Sequence, residues 1–177
     1  MSDPDLSYNE PMNIHIRLCE AADLAALEYF IPSPNSLHSK RFEEQEDGAC
    51  AYLIAFVDSQ PVGHLNILWQ GRADAALNRH LKNCPELNAI GVIPQYQSQG
   101  IGAKLINLAE QMVKSSGFDK VGLGVGIDNP RAKQLYERLG YRDWGHGTLT
   151  DSGTIKDGNG QRVTFPGEMF YLIKDLG

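Results

Sequence analysis

The chain has 177 residues, of which 42% are apolar and 21% charged, as in an ordinary globular domain. Its formal net charge of −6 argues against nucleic acid as a partner, because phosphate contacts need a basic surface. No apolar run reaches the roughly 18–20 residues of a membrane span, and the acidic first residues do not form a signal peptide. We therefore expect a cytoplasmic protein with no membrane partner, a disordered tail over residues 1–12 and one domain over residues 13–177.

The cysteines and histidines show no spacing that is typical of a metal site. The three cysteines are odd in number and contain no CxxC pair, so we expect reduced thiols. The five histidines contain no HExxH pattern. We therefore expect neither a structural nor a catalytic metal.

The first half of the chain predicts a strand, short helices and a hairpin. Ile14, Ile16 and Leu18 alternate with polar residues, which indicates a half-buried strand. Asp58-Ser59-Gln60 joins two β-rich runs, which is typical of an antiparallel hairpin. In chain order we expect a strand over 13–18, a helix over 22–30, a short charged helix over 37–47, hairpin strands over 49–57 and 62–69, and a loop with a helical turn over 71–84.

The second half predicts a regular alternation of strands and helices. Ile101, Leu105, Leu108 and Met112 form one apolar stripe, which indicates an amphipathic helix. In chain order we expect a strand over 87–92, a helix over 101–116, a strand over 121–127, a helix over 130–139, and closing strands over 141–150 and 168–174 around a hairpin near 157–160. This mixture predicts a single α/β (α+β) domain.

The segment from Val92 to Ala103 lies between a predicted strand and a predicted helix. The free N–H groups of a helix N-terminus bind phosphate together with the helix dipole. Gly100 and Gly102 would let a pyrophosphate approach the backbone, because glycine has no Cβ. A Rossmann loop would need Gly or Ala in place of Leu105, and a P-loop would need Gly-Lys-Ser/Thr. Alone, the pattern also fits a packing turn.

A second motif follows about 30 residues later. Gln97-x-x-Gly100-x-Gly102 is followed by Asn129-x-x-Ala132-x-x-Leu135-Tyr136-x-x-Leu139-Gly140-Tyr141. Together, in this order, the two motifs resemble the pyrophosphate signature and the second motif of the GNAT (Gcn5-related N-acetyltransferase) superfamily. Weaker likenesses extend the resemblance over most of the chain: Arg41-Phe42, Tyr52-Leu53 and Pro61-Val62-Gly63-His64.

The resemblance implies a fold and a cofactor. The fold is a mixed, mostly antiparallel sheet with two splayed central parallel strands, flanked by helices; the co-substrate is acetyl-CoA. Position 97 is more often Arg in this family, and Gln99 also replaces a commonly basic residue, so backbone donors should dominate, with help from Lys104. The resemblance assigns cofactor binding to Ile90, Gly91, Val92, Gln97, Ser98, Gln99, Gly100, Ile101, Gly102, Ala103, Asn129 and Tyr136.

Tyr136 is the general acid that the resemblance implies. A tyrosine hydroxyl, with a pKa of ~10, can protonate a departing thiolate. The alternative is a structural role, because Tyr136 shares one face of its predicted helix with Ala132, Leu135 and Leu139.

The acceptor amine must lose a proton, since an alkylamine has a pKa of ~10.4. Glu86 is the predicted base, because several relatives carry a carboxylate at this position of the central strand. The alternative for Glu86 is a solvated charge at a strand end. His64 is a second candidate, although a histidine in a hairpin is more often structural.

The acceptor predicted from the sequence is the amine of a small cationic molecule, with an aminoglycoside antibiotic as the sharpest hypothesis. An acidic protein favours a cationic partner, and an acidic cluster lies on a segment that commonly lines the acceptor side of GNAT folds. A charge run is otherwise a solvated face. Acetylation of a protein, peptide or other metabolite amine, a non-catalytic acyl-CoA sensor, and a homodimer remain open. The cluster comprises Glu43, Glu44, Glu46 and Asp47.

Overall fold

The described part of the chain folds around a mixed sheet. The computed structural model describes residues 12–156 and 162–177. Its strands are β1 (Ile14–Leu18), β2 (Cys50–Val57), β3 (Gln60–Leu68), β4 (Glu86–Val92), β5 (Lys120–Gly126), β6 (Arg142–Asp143), β7 (Leu149–Lys156) and β8 (Arg162–Asp175). Its α-helices are α1 (Leu24–Phe30), α2 (Leu37–Glu46), α3 (Ala75–His80), α4 (Ile101–Ser115) and α5 (Pro130–Arg138).

The strand order places β4 and β5 at the centre of the sheet. The order is β1-β2-β3-β4-β5-β8-β6, and β7 pairs with β8. Strands β4 and β5 are parallel, whereas the other described pairs are antiparallel. Strand β8 has β5 on one side and both β6 and β7 on the other, although β6 and β7 precede it in the chain. This topology confirms the predicted fold class.

The sheet has apolar layers on both faces, which explains why β2 is a continuous apolar run. All eight residues of β2 are buried. Leu53 and its alternating neighbours pack towards α4, whereas Tyr52, Ile54 and Phe56 pack with Leu27 of α1. A strand covered on both faces does not need a polar side. The predicted stripe on α4 is confirmed, since Ile101, Leu105, Leu108 and Met112 all pack in the apolar layer that contains Leu53.

The predicted hairpin is also confirmed, as β2 and β3. The turn residues Asp58 and Ser59 both have positive φ, at 48° and 69°. Two such residues form the two-residue turn whose twist matches that of antiparallel strands.

The predicted strand over 141–150 is wrong. The structure has two strands there, β6 and β7, with a bend between them that contains Gly145 and Gly147, each at a φ of 86°. Two residues in this left-handed region so close together turn the chain out of the extended conformation of a strand. The strand predicted over 168–174 is the last part of the longer β8. The hairpin expected near 157–160 and the tail expected over 1–12 lie outside the described residues, except for Met12.

The remaining differences are at element boundaries. A 3₁₀ turn, Ala21–Asp23, precedes α1, and Arg17 holds the carboxylate of Asp23 through two hydrogen bonds of 2.6 and 2.7 Å. The helical turn expected within 71–84 is α3, which Asp74 caps by accepting hydrogen bonds from two backbone N–H groups.

Three sequence-level expectations concern cysteines, membranes and metals. In the described ranges the three cysteines are free thiols, and burial raises the pKa of Cys50 to about 11. No helix in these ranges is long and apolar enough to cross a membrane. The same ranges hold no group of three or more His, Cys, Asp or Glu side chains placed to bind a metal.

Candidate active site

The site begins where β4 separates from β5. The two strands pair only at Glu86↔Gly122 and Leu87↔Leu123. Ala89 then adopts a φ of 49°, and the register between β3 and β4 shifts at the same place. A bulge of this kind bends a strand and ends its regular pairing. Beyond it, β4 leaves β5 and a cleft opens at the carboxyl ends of both strands.

The cleft brings together the two motifs found in the sequence. Its volume is about 570 Å³, and the ends of β4, α4 and α5 line it. Every residue assigned to cofactor binding lines it except Gln99, whose side chain donates to the carbonyl of Gln95 instead. Contact of the lining residues with acetyl-CoA remains a prediction. They are Ile90, Gly91, Val92, Gln97, Ser98, Gly100, Ile101, Gly102, Ala103, Asn129 and Tyr136.

The loop before α4 is built to present backbone donors. Gly100 precedes the helix with a φ of 81°, a conformation that favours glycine, and the helix starts at Ile101. The Gln97 side chain donates to the carbonyl of Val92 at 2.9 Å, which ties the loop to the end of β4. The first N–H groups of a helix have no partner within the helix. At α4 these groups lie in the wall of the cleft, as phosphate binding requires.

Two arginines line the same cleft, and they were missed by the sequence reasoning. Arg131 donates to the hydroxyl of Ser98 at 2.6 Å, so it bridges α5 and the loop. Arg138 lies seven residues later and also lines the cleft, whereas Lys104 is not among the lining residues. A spacing of seven places two residues on one helix face, which is the signal that could have identified the pair. The cleft therefore carries positive charge from α5 for an anionic cofactor.

Asn129 has a structural role that the motif alone did not reveal. Its side chain accepts a hydrogen bond from the N–H of Ala132 at 3.1 Å and so caps α5. Pro130 occupies the first turn, where its missing N–H costs no hydrogen bond. The cap fixes the start of the helix that carries Tyr136.

Tyr136 both packs in the core and faces the cleft. It is 7% exposed and lies edge-on to Tyr141, with 6.2 Å between ring centroids. Burial raises the pKa of Tyr136, so the phenol is protonated at neutral pH and can donate a proton. The packing role and the role as acid are therefore compatible.

Glu86 is buried, so the alternative that it is a solvated charge at a strand end is wrong. It is 0% exposed. The Nε of Arg72 contacts both carboxylate oxygens, at 3.0 and 3.1 Å, and the hydroxyl of Tyr171 donates to one of them at 3.2 Å. Tyr171 reaches the carboxylate because residue 122 is glycine; a Cβ there would lie 2.7 Å from the tyrosine ring.

The position of Glu86 separates it from the cleft. It stands at the paired end of β4, four residues or roughly 13 Å along the strand from Ile90. It is not among the residues that line the cleft. Its role as base remains a prediction.

His64 lies closer to the parting of the strands. It pairs with Gly91, and a Cβ on Gly91 would lie 3.2 Å from its Nε2 atom. Burial lowers the pKa of His64 to about 4, helped by the nearby charge of Arg41. The imidazole is therefore neutral at pH 7.

The acidic cluster at the C-terminal end of α2 does not contribute to the cleft. Glu43, Glu46 and Asp47 are exposed, and Glu44 forms an exposed ion pair with Lys40 at 3.8 Å. None of the four lines the cleft. Their role in acceptor binding remains a prediction.

Residues 18–141 match the model of the acetyltransferase (GNAT) family. The chain belongs to this family. The match confirms the resemblance on which the acetyltransferase prediction depends.

Relatives of this GNAT protein agree with that assignment. An uncharacterized N-acetyltransferase of Methanocaldococcus jannaschii is 31% identical over 103 residues, which cover 57% of this chain and 42% of the relative. A mycothiol acetyltransferase of Acidothermus cellulolyticus is 35% identical over 75 residues, 42% of this chain and 23% of the relative. The chain therefore spans less than half the length of these curated relatives.

Solved structures show the same fold at low identity. An N-acetyltransferase from Staphylococcus aureus Mu50 has a TM-score of 0.69 and 17% identity, with 93% of this chain and 99% of that one covered. A spermidine N-acetyltransferase from Vibrio cholerae, in complex with CoA and spermine, has a TM-score of 0.67 and 17% identity, with 92% and 95% covered.

Replacing Gly102 tests the cleft of this GNAT protein as a cofactor site. Nothing lies nearer than 4.0 Å to a Cβ added at Gly102, so Gly102→Val should fold. Its branched side chain would project towards the loop before α4, where we expect the pyrophosphate. It should therefore weaken acetyl-CoA binding more than tenfold, or ~1.4 kcal/mol. Titration calorimetry measures this, with Asn107→Val on the exposed side of α4 as the control. Equal affinities of the two variants would show that the loop is only a packing turn.

Proposed function

We propose that this GNAT protein transfers the acetyl group of acetyl-CoA to the primary amine of a small cationic molecule. The observation that carries the proposal is the cleft lined by the end of β4, the start of α4 and one face of α5. It combines glycines at a helix start, two arginines and a protonated tyrosine in one space. Anionic groups would bind at the helix start, and the thioester would extend along β4 towards the parting.

The reaction that fits this arrangement is direct transfer in a ternary complex. The amine nitrogen attacks the thioester carbonyl, the new C–N bond forms and the C–S bond breaks. A backbone N–H near Ile90–Val92 would stabilise the negative charge on the carbonyl oxygen. Tyr136 would give its hydroxyl proton to the departing thiolate, since the phenol still carries that proton at pH 7.

We propose Glu86 as the final acceptor of the amine proton, through intervening polar groups. Asn88 and Asn66 are register partners on β4 and β3 and separate Glu86 from His64. Both asparagines have a side-chain oxygen that is buried without a hydrogen-bond partner in the described structure. Such oxygens can accept from groups that relay a proton.

Two observations support a cationic acceptor. The chain has a net charge of −6, and the Vibrio cholerae neighbour is described as a spermidine N-acetyltransferase in complex with spermine. Polyamines are therefore the first polycations to test. The aminoglycoside hypothesis has no support from the relatives and stays a prediction. Tyr136 in the cleft favours an enzyme over a non-catalytic sensor.

The experiment that tests the proposal measures thiol release from acetyl-CoA with a panel of acceptors. The panel holds polyamines, simple amines, aminoglycosides, amino acids and short peptides. We expect release that depends on at least one small primary amine and greatly exceeds hydrolysis without acceptor. Saturable acetyl-CoA binding with no release for any member would favour the sensor. Release with peptides alone would contradict a small-molecule acceptor.

Tyr136→Phe keeps the ring in its packing position and removes only the hydroxyl. We expect kcat to fall roughly 10–1000-fold while acetyl-CoA affinity stays the same. Tyr141→Phe is the matched control, because this neighbouring tyrosine is buried but does not line the cleft. Steady-state kinetics and calorimetry on both variants give the comparison. Wild-type turnover in Tyr136→Phe would leave this residue with a packing role only.

Glu86→Gln tests the base. If Glu86 receives the proton, kcat should fall most near pH 7 and less near pH 10, where much of the amine is already neutral. A profile of kcat from pH 6 to pH 10 distinguishes loss of the base from loss of the ion pair with Arg72. Loss of the ion pair should lower the thermal stability of the protein at every pH. Thermal unfolding of the same variant provides that second measurement. A loss of rate that is uniform across pH would argue against a role as base.

A further inference from the structure

A second cavity, of about 390 Å³, lies beside the cofactor cleft. The two share Gly91 and Val92 of β4 as lining residues. The other walls of the second cavity are the connection between α1 and α2, from Phe30 to Pro32, and the chain after β4, from Ile93 to Gln95. His64 completes the lining.

We propose that this second cavity holds the acceptor, and that it selects a primary amine on an aromatic or aliphatic body over a polycation. The inference rests on the proposed function and narrows its substrate class. An acceptor must reach the thioester from a space that adjoins the cofactor cleft. A cavity that shares two residues of β4 with the cleft meets that condition.

The expected selectivity between the two kinds of amine depends on the charge of the residues that line the second cavity. No Asp, Glu, Lys or Arg side chain lines this cavity within the described residues, and most of its walls are apolar. A polycation would bring extra ammonium groups against those walls without a counter-charge. Burying an unpaired charge is unfavourable, whereas burying an apolar body in the same place is favourable. The acidic cluster on α2 does not offset this cost, because it lies outside the cavity.

His64 is the ionisable group in the lining, and its surroundings keep it uncharged. His38 and Arg41 of α2 and Tyr52 of β2 face it, and the backbone of Ala89 contacts it from β4. The positive charge of Arg41 would also repel a second ammonium group nearby. His64 has a buried Nδ1 atom with no hydrogen-bond partner in the described structure. The neutral imidazole adds no charge to the cavity wall.

A neighbouring cavity shares lining residues with this one and contains two further aromatic residues. The two share Phe30, Ile93 and Gln95, and the neighbour adds Tyr29 and Tyr96. Tyr29 is 79% exposed, and its ring meets that of Phe30 edge-on at 4.8 Å. Aromatic side chains of this kind bind flat apolar bodies. The pair of cavities therefore has room for a body longer than one ring.

The test compares two probes, 2-phenylethylamine and spermidine, in the thiol-release assay at 150 mM salt. We expect kcat/KM to be at least tenfold higher for 2-phenylethylamine. Its KM should not change between 0.05 and 0.5 M salt, because binding depends on apolar contact. A kcat/KM for spermidine that equals or exceeds that of 2-phenylethylamine would overturn the proposal.

Phe30→Glu places a carboxylate in the cavity wall. We expect the KM for 2-phenylethylamine to rise at least tenfold and the KM for spermidine to fall. Leu18→Glu is the matched control, because Leu18 is 42% exposed, close to the 39% of Phe30, and lines neither cavity. Phe30→Ala removes the ring without adding charge and should raise the KM for 2-phenylethylamine alone. Equal effects in Phe30→Glu and Leu18→Glu would contradict the assignment.

Calorimetry with acetyl-CoA separates failure of the cavity assignment from failure of the proposed function. If acetyl-CoA binds and spermidine is acetylated while 2-phenylethylamine is not, the cavity assignment is wrong and the proposed function stands. If acetyl-CoA binds and neither amine reacts, the cavity assignment is likewise wrong. If acetyl-CoA does not bind, both are wrong.

Discussion

The parting of β4 from β5 is the constraint on which the site depends. Two paired positions hold the strands together, and the left-handed residue Ala89 then turns β4 away. A central strand that loses its neighbour leaves backbone groups to be satisfied by something else. The parted strands expose these groups next to the start of α4 and the inner face of α5. The end of β4, the loop before α4 and Tyr136 therefore meet in one cleft because one pairing ends early.

Strand β4 also divides the site into two sides. Gly91 shows how closely the sides are packed, because the ring of His64 occupies the space in which a side chain would lie. On one side the charges come from arginines of α5, as an anionic cofactor requires. On the other side the walls are apolar and the histidine is neutral. The two sides of β4 therefore offer different electrostatic environments across one backbone.

The sequence predicted the features that depend on local pattern, and missed those that depend on distant partners. The stripe on α4, the hairpin turn and the two motifs depend on residues two to seven positions apart, so the sequence alone predicts them. The burial of Glu86 could not, because Arg72 comes from a polar loop and Tyr171 from the last strand, 85 residues away. The break between β6 and β7 was missed because its glycines were read as part of a strand.

The insertion of β8 between β5 and β6 has a consequence for the order of folding. During synthesis, β5 leaves the ribosome long before the strand that will pair with its outer edge. Until then its residues Lys120–Gly126 present an unpaired, largely apolar edge, which is a template for association with another chain. Three glycines in this strand weaken that template, since glycine lowers strand propensity. Two of the three, Gly122 and Gly124, thus both make room for Tyr171 and Met169 and weaken this edge in the nascent chain.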